Sequence, residues 1–290
     1  MHFVQAKGIL SANNGMNIYR GCQHGCIYCD SRSKCYQINH PFEDIEVKAN
    51  AIELLEKTLK TKRHKVMVGT GAMSDPYIPL ENELRMTRQA LEIIEKYGHG
   101  VSLLTKSDRI LQDLDILQRI NAKTKCVVQM TLTTYDENLC KILEPNVCTT
   151  KARFHALQKL HEAGIPTIVW LDPILPFIND TPQNINGILD YCLQAKVYGI
   201  VCFGMGLTLR AGNREYFYQQ LDQHFPMLKT KYQQTYGLSY QITSQHNHQL
   251  MKLLYARCKK HHIVCDINQI FKYLKTMEIK QQTQQLSLFD

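Results

Sequence analysis

Three cysteines near the start of the chain are spaced closely enough to bind one metal centre. Cys22, Cys26 and Cys29 follow the pattern CxxxCxxC within the stretch NIYRGCQHGCIYCDSRSKCY. Spacings of three and four residues bring side chains to one side of a helix or a compact loop, so the three thiols can converge. A closed metal site usually takes four ligands. The function of this stretch therefore depends on what fills the fourth position.

Three kinds of metal centre can be compared with this pattern. A zinc site would take His24 or Cys35 as its fourth ligand. A ferredoxin-type cluster would need a fourth cysteine at a different spacing. A four-iron cluster held by three thiolates would leave one iron open to bind a small molecule. This arrangement would explain why the pattern has no fourth protein ligand.

The composition is typical of one large globular unit. The chain has 290 residues, 44% of them apolar, which is enough for a substantial core. The N-terminus MHFVQAKGIL shows no secretion signal, and no segment approaches the roughly 18 consecutive apolar residues of a membrane span. The 11 cysteines are scattered irregularly, which fits reduced thiols better than a disulfide framework. We therefore expect a cytoplasmic protein that has no membrane partner.

The net charge of +8 is a modest bias toward polyanionic partners. An ordinary basic surface explains this charge equally well.

Extended and helical patterns alternate along most of the chain. The extended runs are continuously apolar and rich in β-branched residues, as in strands that are covered on both faces of a parallel sheet. They lie near residues 15–19, 65–71, 101–106, 126–134, 166–175 and 199–206. The runs between them have amphipathic helical spacing, and they cover residues 51–60, 84–98, 109–120, 153–164 and 184–196. This alternation predicts an α/β fold, either a barrel, complete or not, or a doubly wound sheet.

The pattern changes toward the C-terminus. We expect residues 1–206 to form the core barrel and residues 207–278 to form a helical C-terminal extension packed on it. We expect three helices in that extension, formed by YFYQQLDQHF, QLMKLLYARCKKH and NQIFKYLKTM. Residues 279–290 are polar up to a short apolar cluster, which predicts a flexible tail. The segment CKKHHIVC, residues 258–265, reads more simply as a helix end and an extended turn than as a zinc site.

The cluster motif resembles that of the radical S-adenosylmethionine (SAM) superfamily, in which an aromatic residue precedes the third cysteine, as Tyr28 does here. The resemblance implies a partial (β/α)6 barrel and a [4Fe–4S] cluster on Cys22, Cys26 and Cys29. It also implies that the open iron chelates the amino and carboxylate groups of SAM. Reduction by an external one-electron donor then cleaves SAM to a 5′-deoxyadenosyl radical.

Stretches outside the cluster loop are similar to the spore photoproduct lyase-like family, over about residues 15 to 205. These stretches are GTGAMSDPYIPLE, LLTKSD, LEPNVCTTKAR and AGIPTIVWLDPILPFIND. The lyase has a hydrogen-donor cysteine two residues before the serine of an SD pair, whereas this chain has Ala72 at that position. The chain is therefore expected to be a lyase-like relative, with Cys35 as a candidate replacement for the hydrogen donor.

The same resemblance implies roles for residues around SAM. Ser74, followed by Asp75, matches a serine that helps to hold SAM. Lys106 matches a lysine that contacts SAM, and an ammonium at a strand end can pair with the SAM carboxylate. Tyr28 can stack on the adenine or donate a hydrogen bond to it, although a packing role is nearly as good an explanation. Asp30 stands where the lyase has a second tyrosine, so the adenine pocket should differ.

Four further polar residues lie near predicted strand ends. We expect Glu81 and Arg153 to form structural salt bridges rather than ligand contacts. Thr131 and Thr133 can line the site at the end of the fourth barrel strand, but packing within a strand explains both equally well.

The last residues resemble a docking motif. Gln285–Phe289, QLSLF, is similar to the pentapeptide by which bacterial polymerases and repair proteins bind the replication sliding clamp. The leucines and Phe289 can fill apolar pockets while Gln285 bonds at the rim. A terminal cluster that folds back on the domain is the alternative. With the basic charge, the motif favours DNA or a nucleic-acid base as substrate.

Two other functions fit the sequence. One is a zinc-containing, non-catalytic nucleic-acid-binding protein. The other is a radical SAM enzyme that acts on a protein or a metabolite.

Overall fold

The computed structural model describes residues 1–280, which form eleven strands and eleven α-helices. The strands are β1 (His2–Val4), β2 (Gly15–Met16), β3 (Tyr19–Arg20), β4 (Glu46–Lys48), β5 (Met67–Thr70), β6 (Gly100–Thr105), β7 (Cys126–Thr131), β8 (Thr167–Trp170), β9 (Gly199–Val201), β10 (Gly206–Thr208) and β11 (Gln241–Thr243). The helices are α1 (Ala51–Thr61), α2 (Glu81–Leu84), α3 (Met86–Lys96), α4 (Leu114–Lys123), α5 (Glu137–Leu143), α6 (Thr150–Glu162), α7 (Pro182–Gln194), α8 (Asn213–His224), α9 (Leu228–Tyr236), α10 (Asn247–Lys260) and α11 (Ile267–Lys275).

Six strands form one parallel sheet in the order β2-β5-β6-β7-β8-β9. This order follows the chain without reversing, which distinguishes a singly wound barrel from a doubly wound sheet. The two end strands, β2 and β9, each have one sheet neighbour among the described strands, so the barrel is open. The prediction of a partial (β/α)6 barrel is confirmed.

The two faces of the sheet pack against different partners because side chains alternate along each strand. In β7, Val128 and Met130 join the main core under the outer helices, whereas Val127 faces inward. There Val127 packs with Ile270 and Leu274 of α11. The C-terminal extension therefore places one helix against the concave side of the barrel.

Residues 273–280 run along the N-terminal ends of the barrel strands. Lys125, at the N-terminal end of β7, donates from its Nζ atom to the carbonyl oxygen of Tyr273 at 2.9 Å. Lys280 donates from Nζ to the carbonyl oxygen of Asn121 at 2.5 Å. These contacts hold residues 273–280 at the N-terminal ends of the strands.

Several short elements were not predicted. Strands β1, β4 and β3 form a small separate sheet, and β10 pairs with β11 as a hairpin. Each has only two or three residues, too few for an alternating pattern to be read from sequence. Helix α9 was missed as well. The segment 258–265 behaves as predicted, since α10 ends at Lys260 and Val264 bridges Gly199 at the sheet edge.

The boundary at residue 206 between core and extension stays a prediction. Residues 281–290, including Gln285–Phe289, lie outside the described part of the chain. Among residues 1–280, no helix has both the length and the apolar character needed to cross a membrane.

Gly71 shows why the turn after β5 tolerates no side chain. It has φ +98°, and a Cβ atom there would lie 1.8 Å from the carbonyl oxygen of Leu104 in β6. We expect Gly71→Ala to lower the free energy of unfolding by about 3 kcal/mol or more, through strain and overpacking. Denaturant unfolding followed by circular dichroism measures this. Gly69→Ala, where nothing lies within 4 Å of the added Cβ, is the control, and equal losses in both variants would contradict the prediction.

Candidate active site

The cysteine loop is shaped by backbone contacts made by the chain itself. Gly21 and Gly25 both have positive φ, +88° and +71°, which a residue with a side chain rarely adopts. The N–H of Cys22 donates to the carbonyl oxygen of Phe42 at 3.1 Å, and the N–H of Ile27 donates to that of Leu143 at 3.0 Å. The loop is therefore held in place before any metal binds.

The three thiols lie on this loop and line one cavity. Burial raises the pKa of the Cys22 thiol to about 12 and also raises that of Cys26. Without a metal these two thiols are therefore neutral at pH 7, and a bound iron centre would favour their thiolate forms.

The spacing of the thiols argues against a single ion. In residues 1–280, only His2, His40 and Asp44 form a group of three or more His, Cys, Asp or Glu residues whose ligand atoms all lie within 4.8 Å of one another. Tetrahedral zinc would hold thiolate sulfurs about 4 Å apart. Neither His24 nor Cys35 completes such a group with the thiols.

The cavity has a volume of about 550 Å³ and lies at the carboxyl ends of the barrel strands, where α/β barrels place their active sites. Its lining includes five of the residues expected to bind SAM or the substrate, together with aromatic and acidic side chains. These lining residues are Tyr28, Ser74, Asp75, Lys106, Thr131, Tyr36, Trp170, Phe203, Asp30 and Asp172. Sequence reasoning thus identified side chains that the fold brings together from four different segments.

Ser74 and Asp75 fasten the cysteine loop to the barrel. The Ser74 hydroxyl donates to the carbonyl oxygen of Gly21 at 2.6 Å. The Asp75 carboxylate accepts from the Thr105 hydroxyl at 2.7 Å and from the Lys106 N–H at 2.8 Å. It lies 3.5 Å from Nδ1 of His24, in the cysteine loop. Both side chains therefore position the site even where they also border the cavity.

Lys106 presents its charge to the cavity. Within residues 1–280 its ammonium makes no hydrogen bond or ion pair, and it lies 5.7 Å from the centre of the Tyr28 ring. Burial acts to lower the pKa of Lys106, but Cys26 and Glu144 outweigh that effect and the pKa is raised. The ammonium is therefore charged and available to an anionic ligand.

A buried ion pair lies behind Tyr28. The Tyr28 hydroxyl donates to Glu144, and Glu144 pairs with Arg153, with both charged side chains 0% exposed. Burial alone would raise the pKa of Glu144, but Arg153 and Lys106 lower it, so the carboxylate is ionised. Arg153 also donates to the carbonyl oxygen of Thr131 at 2.9 Å. The prediction of a structural salt bridge at Arg153 is confirmed.

The salt bridge expected at Glu81 is wrong. In the described part of the chain Glu81 has no ion pair, and it accepts hydrogen bonds from the Tyr19 hydroxyl and the Thr87 N–H instead. Its carboxyl is buried and its pKa is raised by that burial. Neutral donors satisfy it, which the sequence pattern does not reveal.

The remaining predicted residues divide between the cavity and its surroundings. Thr131 lines the cavity, whereas Thr133 is buried behind it, 3.5 Å from Glu144. Cys35 is exposed, is not part of the lining, and accepts a hydrogen bond from Arg210 at 3.2 Å. Its role as hydrogen donor stays a prediction. Asp30 does line the cavity and accepts from the Tyr36 hydroxyl at 2.8 Å.

Asp172 is a cavity residue that sequence reasoning missed. It lies two residues after the end of β8, and burial raises the pKa of its carboxyl to about 7. Its side chain makes no hydrogen bond to any residue from 1 to 280, although Trp170 and Lys106 line the same cavity. A carboxylate shortly beyond the end of a buried parallel strand was the available signal.

The Asp172 carboxyl should give the protein a specific pH dependence. Because its pKa is higher in the folded state, the unfolded chain releases this proton first, and stability falls as the pH rises from about 4 to about 7. Asp172→Asn lacks that fall. The free energy of unfolding of Asp172→Asn minus that of wild type should therefore increase by about 2 kcal/mol from about pH 5 to about pH 8. This is less than the full pKa shift of the Asp172 carboxyl implies, because that carboxyl borders an open cavity.

Urea unfolding of the cluster-free protein at both pH values measures the difference. Glu162→Gln, an exposed carboxyl at the end of α6, is the control. A difference between Asp172→Asn and wild type that stays constant with pH would contradict the assignment.

Comparison with known proteins identifies the class. The model of the radical SAM superfamily matches residues 16–192, which is more than half of the chain. The chain therefore belongs to the radical SAM superfamily and is a radical SAM enzyme, with a [4Fe–4S] cluster and SAM as its cofactors. Within that superfamily its structure is of the spore photoproduct lyase type.

That second step rests on solved structures. The chain superposes on a spore photoproduct lyase variant with bound AdoMet and dinucleoside spore photoproduct, with a TM-score of 0.60 and 14% identity, over 86% of this chain and 73% of that one. Another variant gives a TM-score of 0.62 at 15% identity, over 89% and 78% of the two chains. At such identity the likeness establishes the fold alone.

Sequence relatives of the chain are found in several organisms. An uncharacterized protein of Methanocaldococcus jannaschii is 31% identical over 225 residues, 77% of this chain and 80% of that protein. An uncharacterized protein of Mycobacterium tuberculosis is 27% identical, over 76% of this chain and 66% of that protein. A radical SAM Nα-GlyT isomerase of Pseudomonas phage M6 is 22% identical, over 54% of this chain and 32% of that protein.

Proposed function

We propose that Cys22, Cys26 and Cys29 hold the [4Fe–4S] cluster, and that the enzyme acts on DNA or a nucleic-acid base. One observation supports the cofactor assignment: the three thiols line one cavity together with the ammonium of Lys106, which has no hydrogen-bond or ion-pair partner within residues 1–280. When bound and reduced, the cluster and SAM supply a 5′-deoxyadenosyl radical that abstracts hydrogen from the substrate.

The residues of the chain bind and orient these groups. Lys106 pairs with the carboxylate of SAM, since its charge has no partner within residues 1–280. Tyr28 presents its ring to the cavity while Glu144 fixes its hydroxyl. The oxygens of Ser74 and Asp75 already bind the chain's own donors and acceptors, so these residues act mainly by holding the loop and β6 in register.

Two aromatic side chains of the cavity lining suit a planar base. Trp170 and Phe203 line the cavity with their ring centres 5.9 Å apart, and Phe203 is 53% exposed. Aromatic rings of this kind stack on bases. The Asp172 carboxyl, which has a pKa of about 7, can donate or accept a hydrogen bond at a base edge. Spore photoproduct lyase, whose fold the chain shares, has been crystallised with a dinucleoside photoproduct.

The end of the reaction differs from that of the lyase. Ala72 lines the cavity where the lyase has its donor cysteine, so this chain lacks a thiol at that point. Cys35 remains our proposed hydrogen donor, on the sequence argument. Because this chain has no thiol at the donor position of the lyase, thymine-dimer reversal, the lyase-type DNA repair, is not the reaction that we propose.

Two further partners and a cellular compartment belong to this proposal. An external one-electron donor reduces the cluster. Gln285–Phe289 binds the replication sliding clamp, on sequence resemblance alone. The enzyme works in a reducing compartment such as the cytoplasm, in keeping with the eleven cysteines, all of which are free.

The cofactor assignment is tested by iron content and SAM cleavage. Anaerobically reconstituted protein should hold about four irons per chain and should form 5′-deoxyadenosine from SAM with dithionite. Cys26→Ala should lose the iron and the cleavage. Lys106→Met should keep the iron but raise the KM for SAM about 10- to 100-fold, because a charge-assisted hydrogen bond is lost.

Cys265→Ala and Lys259→Met, outside the cavity, are the matched controls. Zinc in place of iron, or an unchanged KM in Lys106→Met, would contradict the assignment.

The substrate class is tested with SAM cleavage in the presence of DNA. Undamaged and ultraviolet-damaged oligonucleotides, each deuterated in the base, should stimulate 5′-deoxyadenosine formation, and deuterium should appear in that product. Phe203→Ala should weaken oligonucleotide binding by about 1–3 kcal/mol, through the lost stacking. If cleavage of SAM is efficient but no oligonucleotide alters it or transfers deuterium, the radical enzyme with a protein or metabolite substrate is the better description.

A further inference from the structure

Two histidines and a carboxylate meet at a second place, on the small sheet that carries the cysteine loop. His2 lies on β1, and His40 and Asp44 lie in the segment before β4. Strand β1 pairs in parallel with β4, with His2 opposite Glu46. The ligand atoms of His2, His40 and Asp44 lie within 4.8 Å of one another. The strand pairing therefore places these side chains together.

The His40 ring has one nitrogen committed and one free. Its Nδ1 atom lies 3.0 Å from the carbonyl oxygen of Pro41, and since a carbonyl only accepts, Nδ1 carries the hydrogen. The neutral ring then presents a bare Nε2 lone pair. That Nε2 atom is buried and has no hydrogen-bond partner among the described residues. A histidine oriented through a backbone carbonyl, with its other nitrogen free, has the typical geometry of a metal ligand.

Carboxylates lie close to both histidine rings. Asp44 lies 3.0 Å from Nδ1 of His2 and 2.8 Å from the amine of Met1. Oε2 of Glu46 lies 3.8 Å from Nε2 of His40, beyond hydrogen-bond range. The pocket thus combines bare nitrogen and negative oxygen.

We propose that His2, His40 and Asp44 bind a divalent transition-metal ion, with Glu46 available as a fourth ligand. Imidazole and carboxylate ligands suit zinc and its neighbours, whereas calcium and magnesium prefer oxygen alone. This site contains no cysteine and is separate from the [4Fe–4S] cluster.

A bound ion would brace the cysteine loop. The segment between His40 and Asp44 includes Phe42, whose carbonyl oxygen accepts the Cys22 N–H at 3.1 Å. The ion joins this segment to β1, which is remote from it in sequence. It therefore stabilises the backbone on which the first cluster cysteine rests.

Cobalt and zinc test the proposal in protein that carries no tag and keeps Met1. Cobalt is titrated into a Cys22→Ala/Cys26→Ala/Cys29→Ala background, where the cluster thiolates do not compete. One Co²⁺ per chain should bind, with visible ligand-field bands and no thiolate charge-transfer band. In parallel, equilibrium dialysis of zinc against the cluster-loaded wild type should give one zinc per chain.

His40→Gln and Asp44→Asn should each raise the Kd by about 100-fold or more, since loss of a ligand costs at least as much as loss of a residue that orients one. His64→Gln, which changes an exposed histidine after α1, should leave the Kd unchanged. Circular dichroism of the metal-free variants checks their folding. Absence of saturable binding in the wild type, or an unchanged Kd in folded His40→Gln, would overturn the proposal.

Discussion

The site depends on one buried ion pair. Glu144 and Arg153 are both fully buried, and a buried charge that loses its partner typically costs about 3–5 kcal/mol. Each member also holds a different part of the site. Glu144 accepts from Tyr28, next to the third cysteine, and Arg153 donates to the last carbonyl of β7. The pair thus ties the cysteine loop to the barrel at a depth from which water is excluded.

Asp75 makes a second connection of the same kind on the other side of the loop. Its two oxygens accept from the side chain of Thr105 and the backbone of Lys106, while neighbouring Ser74 bonds Gly21. The position of Lys106 is therefore set by the chain, whereas its ammonium makes no hydrogen bond or ion pair with any residue from 1 to 280 that would compete with a ligand. This division between fixed backbone and available charge is what electrostatic preorganisation requires.

The sequence could predict whatever has a repeating pattern. Six buried strands, the amphipathic helices between them and the cysteine spacing are all local signals, and the structure agrees with the first two. Glu144 and Asp172 were missed because their significance comes from residues distant in the chain, such as Tyr28 and Lys106. The salt bridge expected at Glu81 failed for the same reason, since a hydroxyl and a backbone N–H satisfy that carboxyl. Helix α11 has a clear helical pattern, but no pattern states which side of a sheet it covers.

The anchoring of residues 273–280 beneath the barrel sets where the rest of the chain begins. Lys125 and Lys280 bind this segment at the N-terminal ends of the strands, and the cavity opens at their carboxyl ends. The described chain therefore ends at the pole opposite the cavity entrance, and the route by which a substrate reaches the cavity does not pass this segment.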